Sequence, residues 1–140
     1  DDTADLTASR VRDVTAAGHS TISGGIYLDV VGPGGAGPGD EVSGAGATAL
    51  FDVTVQAASW IDGISALEVI VDGVTTETIP IREADRDPLN PTVRLRGAVE
   101  VPVGSAGSWV IFHVASDTPI ALVHPGRTPF AVSNPVFLTR

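Results

Sequence analysis

The chain has 140 residues, no cysteine and a formal net charge of −9. That length supports one domain with its own core, and the missing cysteines exclude disulfides and thiolate metal sites. All positive charge is arginine, and the acidic balance argues against nucleic acid and against anionic membrane surfaces as partners.

Leu6 to Ala17 is the one helix candidate. Leu6, Val11 and Val14 fall near one face, Thr3 or Asp5 is placed to cap the start, and Gly18 to end it as the C′ residue. Such a short helix is marginal alone and needs a surface to pack on. His19 to Ser23 and Ile26 to Val31 read as two short strands around Gly24-Gly25. Gly32 to Asp40 is too dense in glycine and proline for regular structure and reads as a surface loop.

Ala47 to Ala57 alternates cleanly, with Phe51, Val53, Val55 and Ala57 on one face and Asp52, Thr54 and Gln56 on the other. Leu67, Val69 and Val71 repeat the pattern. Asp72-Gly73 then predicts a hairpin into Val74 to Ile81. Arg82 to Pro91 is a charged loop. Thr92 to Val103 predicts a long strand, with Val93, Leu95, Val99 and Val101 inward and Arg94, Arg96 and Glu100 outward. Ser108 to Ala115 is nearly all apolar and predicts a central strand covered on both faces, with Trp109 in the core. Ile120 to Val123 reads as a short strand, and Phe130 to Leu138 closes the chain with an edge, bend or bulge forced at Asn134-Pro135. Strands at this spacing predict an all-β, immunoglobulin-like sandwich of seven to nine strands over residues 19–140, with one short helix in residues 1–18.

The chemistry-bearing residues form no motif. His19, His113 and His124 are scattered and lack metal-ligand spacing; His113 reads as the solvent-side residue of its strand. Ser20, Ser23 and Ser43 lack the frame of a nucleophile elbow. Asp40, Glu83, Asp85 and Asp87 lie in loops; calcium is the sharper reading and solvation the plainer one. The glycines of 32–39 have neither the lysine nor the helix of a phosphate loop. Trp60 sits at a strand end, either exposed for ligand stacking or covering the open end of the sandwich. No catalytic, cofactor-binding or metal-binding residue is assigned.

A resemblance joins the two ends. Ala17-Gly18-His19-Ser20-Thr21-Ile22-Ser23-Gly24-Gly25, the Val53–Ala57 strand, Ser59-Trp60-Ile61, Leu67 to Gly73, Ser108 to Val114 and Pro129 to Leu138 follow one another in an order that resembles the C-terminal β-sandwich region of PHP-domain metallohydrolases of the CehA/McbA type. Gly24-Gly25 stands where that pattern has Asn-Gly-Pro, and His19 where it has Arg. The resemblance implies a non-catalytic accessory domain that packs on an upstream catalytic domain of the same polypeptide or supports a homo-oligomer. The family's divalent metals, such as Zn or Mn, sit on motifs upstream of this region, so no cofactor is expected in this chain. The absence of methionine fits excision from a longer protein, with Asp1-Asp2-Thr3 at a cut. The alternative is an autonomous secreted binding module of the carbohydrate-binding or adhesin kind.

Overall fold

The computed structural model describes residues 6–121 and 125–140, the side chain of Asp85 excepted. Helix α1 (Ala8–Ala16) is followed by β1 (Thr21–Ser23), β2 (Ile26–Val31), β3 (Glu41–Val42), β4 (Thr48–Ala57), β5 (Ile64–Val71), β6 (Val74–Pro80), β7 (Val93–Pro102), β8 (Ser108–Ser116), β9 (Phe130–Ser133) and β10 (Val136–Leu138). The expected all-β sandwich with one short helix is what these residues form. The described strands number ten because Pro135 divides the last one and the two-residue β3 has no pattern of its own to announce it.

The strands make two sheets. β2, β4 and β7 form an antiparallel three-stranded sheet. In the larger sheet β8 is central, with β5 and then β6 along one edge and β9 with β10 along the other. Alternation builds the layer between them. Ile26, Leu28, Val30, Phe51, Val53, Val55, Val99 and Val101 of one sheet meet Leu67, Val69, Val110, Phe112, Val114, Val136 and Leu138 of the other in one cluster of buried side chains. Phe51 and Phe112 join the sheets at the centre, their rings 5.3 Å apart and tilted by 58°, a favourable aromatic geometry.

Local chemistry sets the turns. Asp72 and Gly73 both have positive φ, 51° and 83°, as a two-residue primed hairpin turn requires. Gly18, at φ 83°, ends α1 as expected: its N–H donates to Thr15 O at 3.1 Å and the His19 N–H to Val14 O at 3.1 Å, the paired bonds of a Schellman cap. The helix start differs from expectation. Thr7 is the N-cap, its Oγ1 accepting from Arg10 N–H; Thr3 and Asp5 lie outside the described residues.

Four further expectations are corrected. Arg94 is not outward; it is 2 % exposed. The β4–β7 register shifts where Val55 pairs Leu95 and Gln56 pairs Val93, so Arg94 is the extra residue of a bulge, and a bulge re-aims its side chain. Trp109 is half-buried rather than core, because Val110, Phe112 and Val114 take the inner face of β8. The outer face of β8 is correspondingly half-exposed instead of covered. Ile120 is not in a strand, and the rest of that predicted strand lies largely outside the described residues.

Candidate interaction surface

The outer face of the larger sheet is built from cross-strand rows. Ile22 of β1 pairs Val132 of β9, which pairs His113 of β8, which pairs Glu68 of β5. Further along, Ile111 pairs Ile70, and Trp109 pairs Phe137 of β10. Free antiparallel sheets turn polar residues to water. Here the outward positions are mostly apolar: Ile22 is 58 % and Phe137 45 % exposed, while Val132, Ile111, Ile70 and Trp109 are half-buried. Within these rows His113 and Glu68 form a polar pair, His113 Nδ1 lying 2.7 Å from Glu68 Oε2. At the margins the rows end on polar residues, Glu41 beside Phe137, and Thr75 and Thr78 beside Ile70 and Glu68.

The break at Asn134-Pro135 decides what borders this face. Before it, β9 pairs β1; after it, β10 pairs β3 in parallel. Two backbone groups freed at the break find partners outside the ladder. Asn134 N–H donates to Ser20 O, and Pro135 O accepts from Gly39 N–H. Ser133, nearly fully buried, turns its Oγ to accept from Phe112 N–H of β8 at 3.0 Å. The bend expected at this proline is therefore a handover of the sheet edge from β1 to β3.

Helix α1 presents a second apolar surface. None of its residues is buried, and Leu6, Val11 and Val14 are exposed. The helix is nevertheless tied to the sandwich just past its C-terminus, where Asn134 Nδ2 donates to Gly18 O.

The remaining predicted residues serve local structure. His19 Nδ1 lies 3.1 Å from Pro38 O and 3.4 Å from Asp40 Oδ1. Asp40 Oδ2 accepts from Gly37 N–H, closing the glycine-rich loop. Asp87 Oδ1 accepts from Leu89 N–H and Asn90 N–H, and Glu83 pairs Arg86 at 3.0 Å. Ser20 Oγ accepts from Asn134, and Ser23 Oγ donates to Ile26 O. His124 lies outside the described residues. Among the described residues no three His, Asp or Glu side chains come together to hold a metal. None of the described helices is long and apolar enough to cross a membrane.

Trp60 is 58 % exposed, at the tip of a turn in which Ile61 N–H donates to Ala58 O. Arg94 clamps that turn from inside, its Nη2 donating to Ala58 O at 2.8 Å and Ile61 O at 3.0 Å. Sequence reasoning misses both the clamp and the apolar outer face. The apolar signal of β8 is present in the sequence, but by itself it reads as burial on both sides.

No family model matches the chain, and no curated protein or solved structure matches it either.

Proposed function

We propose that this chain is a non-catalytic accessory domain of a PHP-type metal-dependent hydrolase, packing on the catalytic domain or on a second copy through the outer face of its larger sheet and through α1. The observation that carries this reading is the apolar outer face formed by Ile22, Val132, Ile111, Ile70, Trp109 and Phe137. Apolar side chains set next to one another on a protein surface mark sites of protein contact. The ordered resemblance of both chain ends to the PHP-associated sandwich supports the choice of parent. Among the described residues, His19, His113, Asp40, Glu83 and Asp87 each have a partner within the fold, which supports a role outside catalysis.

Metal content and hydrolysis of the purified chain test the reading. The expected result is no stoichiometric Mn or Zn and no turnover of phosphodiester or ester substrates with added Mn. Bound metal together with turnover overturns it. A parallel measurement of association, by sedimentation with a PHP catalytic domain and alone, is expected to show a complex that Ile22→Glu plus Phe137→Glu abolishes without unfolding the sandwich.

A second reading is favoured by Trp60. An exposed indole on a clamped turn suits stacking against a sugar ring, as in a carbohydrate-binding module. A glycan array decides it: binding that Trp60→Ala removes favours this reading, and silence removes it.

A further inference from the structure

The smaller sheet ends on β7. Among the described residues β7 pairs β4 and no other strand. Past the bulge at Arg94 its register is unbroken from Leu95, opposite Val55, to Pro102, opposite Thr48. Arg96, Gly97, Ala98 and Glu100 are exposed. A Cβ at Gly97 would meet nothing within 4 Å, so this stretch of edge is open.

The ladder decides which backbone groups point outward. Val103 N–H donates to Ala47 O at 2.9 Å, in line with the register that pairs Val101 with Ala49. Residues that bond across an antiparallel pair alternate with residues that do not. Val101, Val99 and Gly97 therefore bond to β4, while Arg96, Ala98 and Glu100 turn N–H and C=O away from it. Pro102 falls in the second set, where its missing N–H costs the ladder nothing. An open row of such groups is a template for another strand.

The side chains say which strand fits. Arg96 and Glu100 lie on the same outer face with Ala98 midway, opposite Thr54, Leu50 and Asp52 of β4. Among the described residues neither Arg96 nor Glu100 has an ion-pair partner. Two copies of β7 set antiparallel about a two-fold axis at Ala98 bring Arg96 of each opposite Glu100 of the other. Directly opposed unlike charges stabilise a strand pair, and like charges destabilise it. On the inner face the same register sets Val101 of one copy beside Leu95 of the other, which is only half-buried in the single chain. Moving the axis by one residue along β7 loses both ion pairs.

We propose that β7 is a self-association edge: a second copy of this chain adds its own β7 antiparallel, centred on Ala98, and the two three-stranded sheets become one. Main-chain bonds at Arg96, Ala98 and Glu100 supply the affinity, and the crossed charge pairs fix the register. The contact is isologous, so it closes at two copies. It uses a surface separate from the outer face of the larger sheet and does not depend on the parent enzyme proposed above.

Sedimentation equilibrium of the purified full chain up to about 1 mM is the test, with amide hydrogen exchange at both ends of the concentration range. The expected result is a reversible dimer. The amides of Arg96, Ala98 and Glu100 should gain protection as it forms, while those of Gly97, Val99 and Val101 are protected at every concentration. Arg96→Glu sets like charges opposite one another and is expected to weaken the dimer about tenfold, or ~1.4 kcal/mol. Glu100→Arg should do the same, and Arg96→Glu combined with Glu100→Arg should restore association. Both side chains are exposed, so the single chain should melt as before in all three variants. The dimer should also survive Ile22→Glu plus Phe137→Glu, which tells it apart from a contact through the outer face. A monomer throughout the range overturns the proposal, and so does a dimer that neither single reversal weakens. A loss that the double reversal fails to restore overturns the register centred on Ala98. A dimer abolished only by Ile22→Glu plus Phe137→Glu overturns the β7 edge and leaves the outer-face reading standing.

Discussion

Asn134 holds Gly18: its Nδ2 donates to Gly18 O at 2.8 Å and to Ser20 Oγ at 3.0 Å. A carbonyl oxygen only accepts, so the amide nitrogen must face it. This one side chain joins the turn after α1 to the break between β9 and β10, residues 116 apart in sequence.

Asn134→Ala should therefore destabilise the fold by about 1–3 kcal/mol, the cost of leaving part-buried partners unsatisfied. Asn134→Asp should do at least as much harm, because it places an acceptor against the Gly18 carbonyl. Chemical denaturation measures both, and hydrogen exchange should show faster amides over residues 18–21. A neutral Asn134→Ala would mean that the β1–β9 pairing alone holds the two ends.

Gly39 tests the same junction from its other side. It has φ 90°, and a Cβ there would lie 2.6 Å from the Gly18 carbonyl carbon. Gly39→Ala should cost about 2–4 kcal/mol, combining backbone strain with a clash against main chain that cannot move aside. Gly34 has φ 69° but nothing within 4 Å of where its Cβ would stand, so Gly34→Ala should cost only about 1 kcal/mol of strain. Equal losses in thermal melts would refute the close approach at Gly39.

The two faces of β8 should separate by mutation. Phe112 is fully buried, and Phe112→Ala should cost about 3–5 kcal/mol. Trp109→Ala should cost less, since the indole is half-buried on the outer face. His113→Ala should cost about 0–1 kcal/mol, because its contact with Glu68 is open to solvent and salt screening. Denaturation midpoints that ranked Trp109 above Phe112 would reverse the assignment of the faces.

Helix α1 should uncouple from global stability. Thr7→Ala removes the N-cap and should weaken the helix by about 0.5–2 kcal/mol. No α1 residue is buried, so the melting temperature of the sandwich should not change, while amide protection within residues 11–16 falls. A matching drop in melting temperature would show that the helix packs on the sandwich after all.

Much of this fold was legible because period-two alternation and turn chemistry are local properties. Phe51, Val53, Val55 and Ala57 identify the inner face of β4 without reference to any partner strand, and every one of them is buried. Asp72-Gly73 and Gly18 announce backbone conformations that few other residues adopt, and both occur as expected. Pro135 forbids a continuous ladder for the same local reason.

What the tertiary structure alone decided rests on pairing between distant strands. The fate of Arg94 follows from the one-residue mismatch between β4 and β7, which no pattern within β7 records. The two residues of β3 become a strand only because β10 lies beside them after the break at Asn134-Pro135. The apolar run of β8 says that both faces avoid water; it cannot say whether this chain or another body covers the second one. That face is set by the number of layers, and here the second layer covers only the inner side.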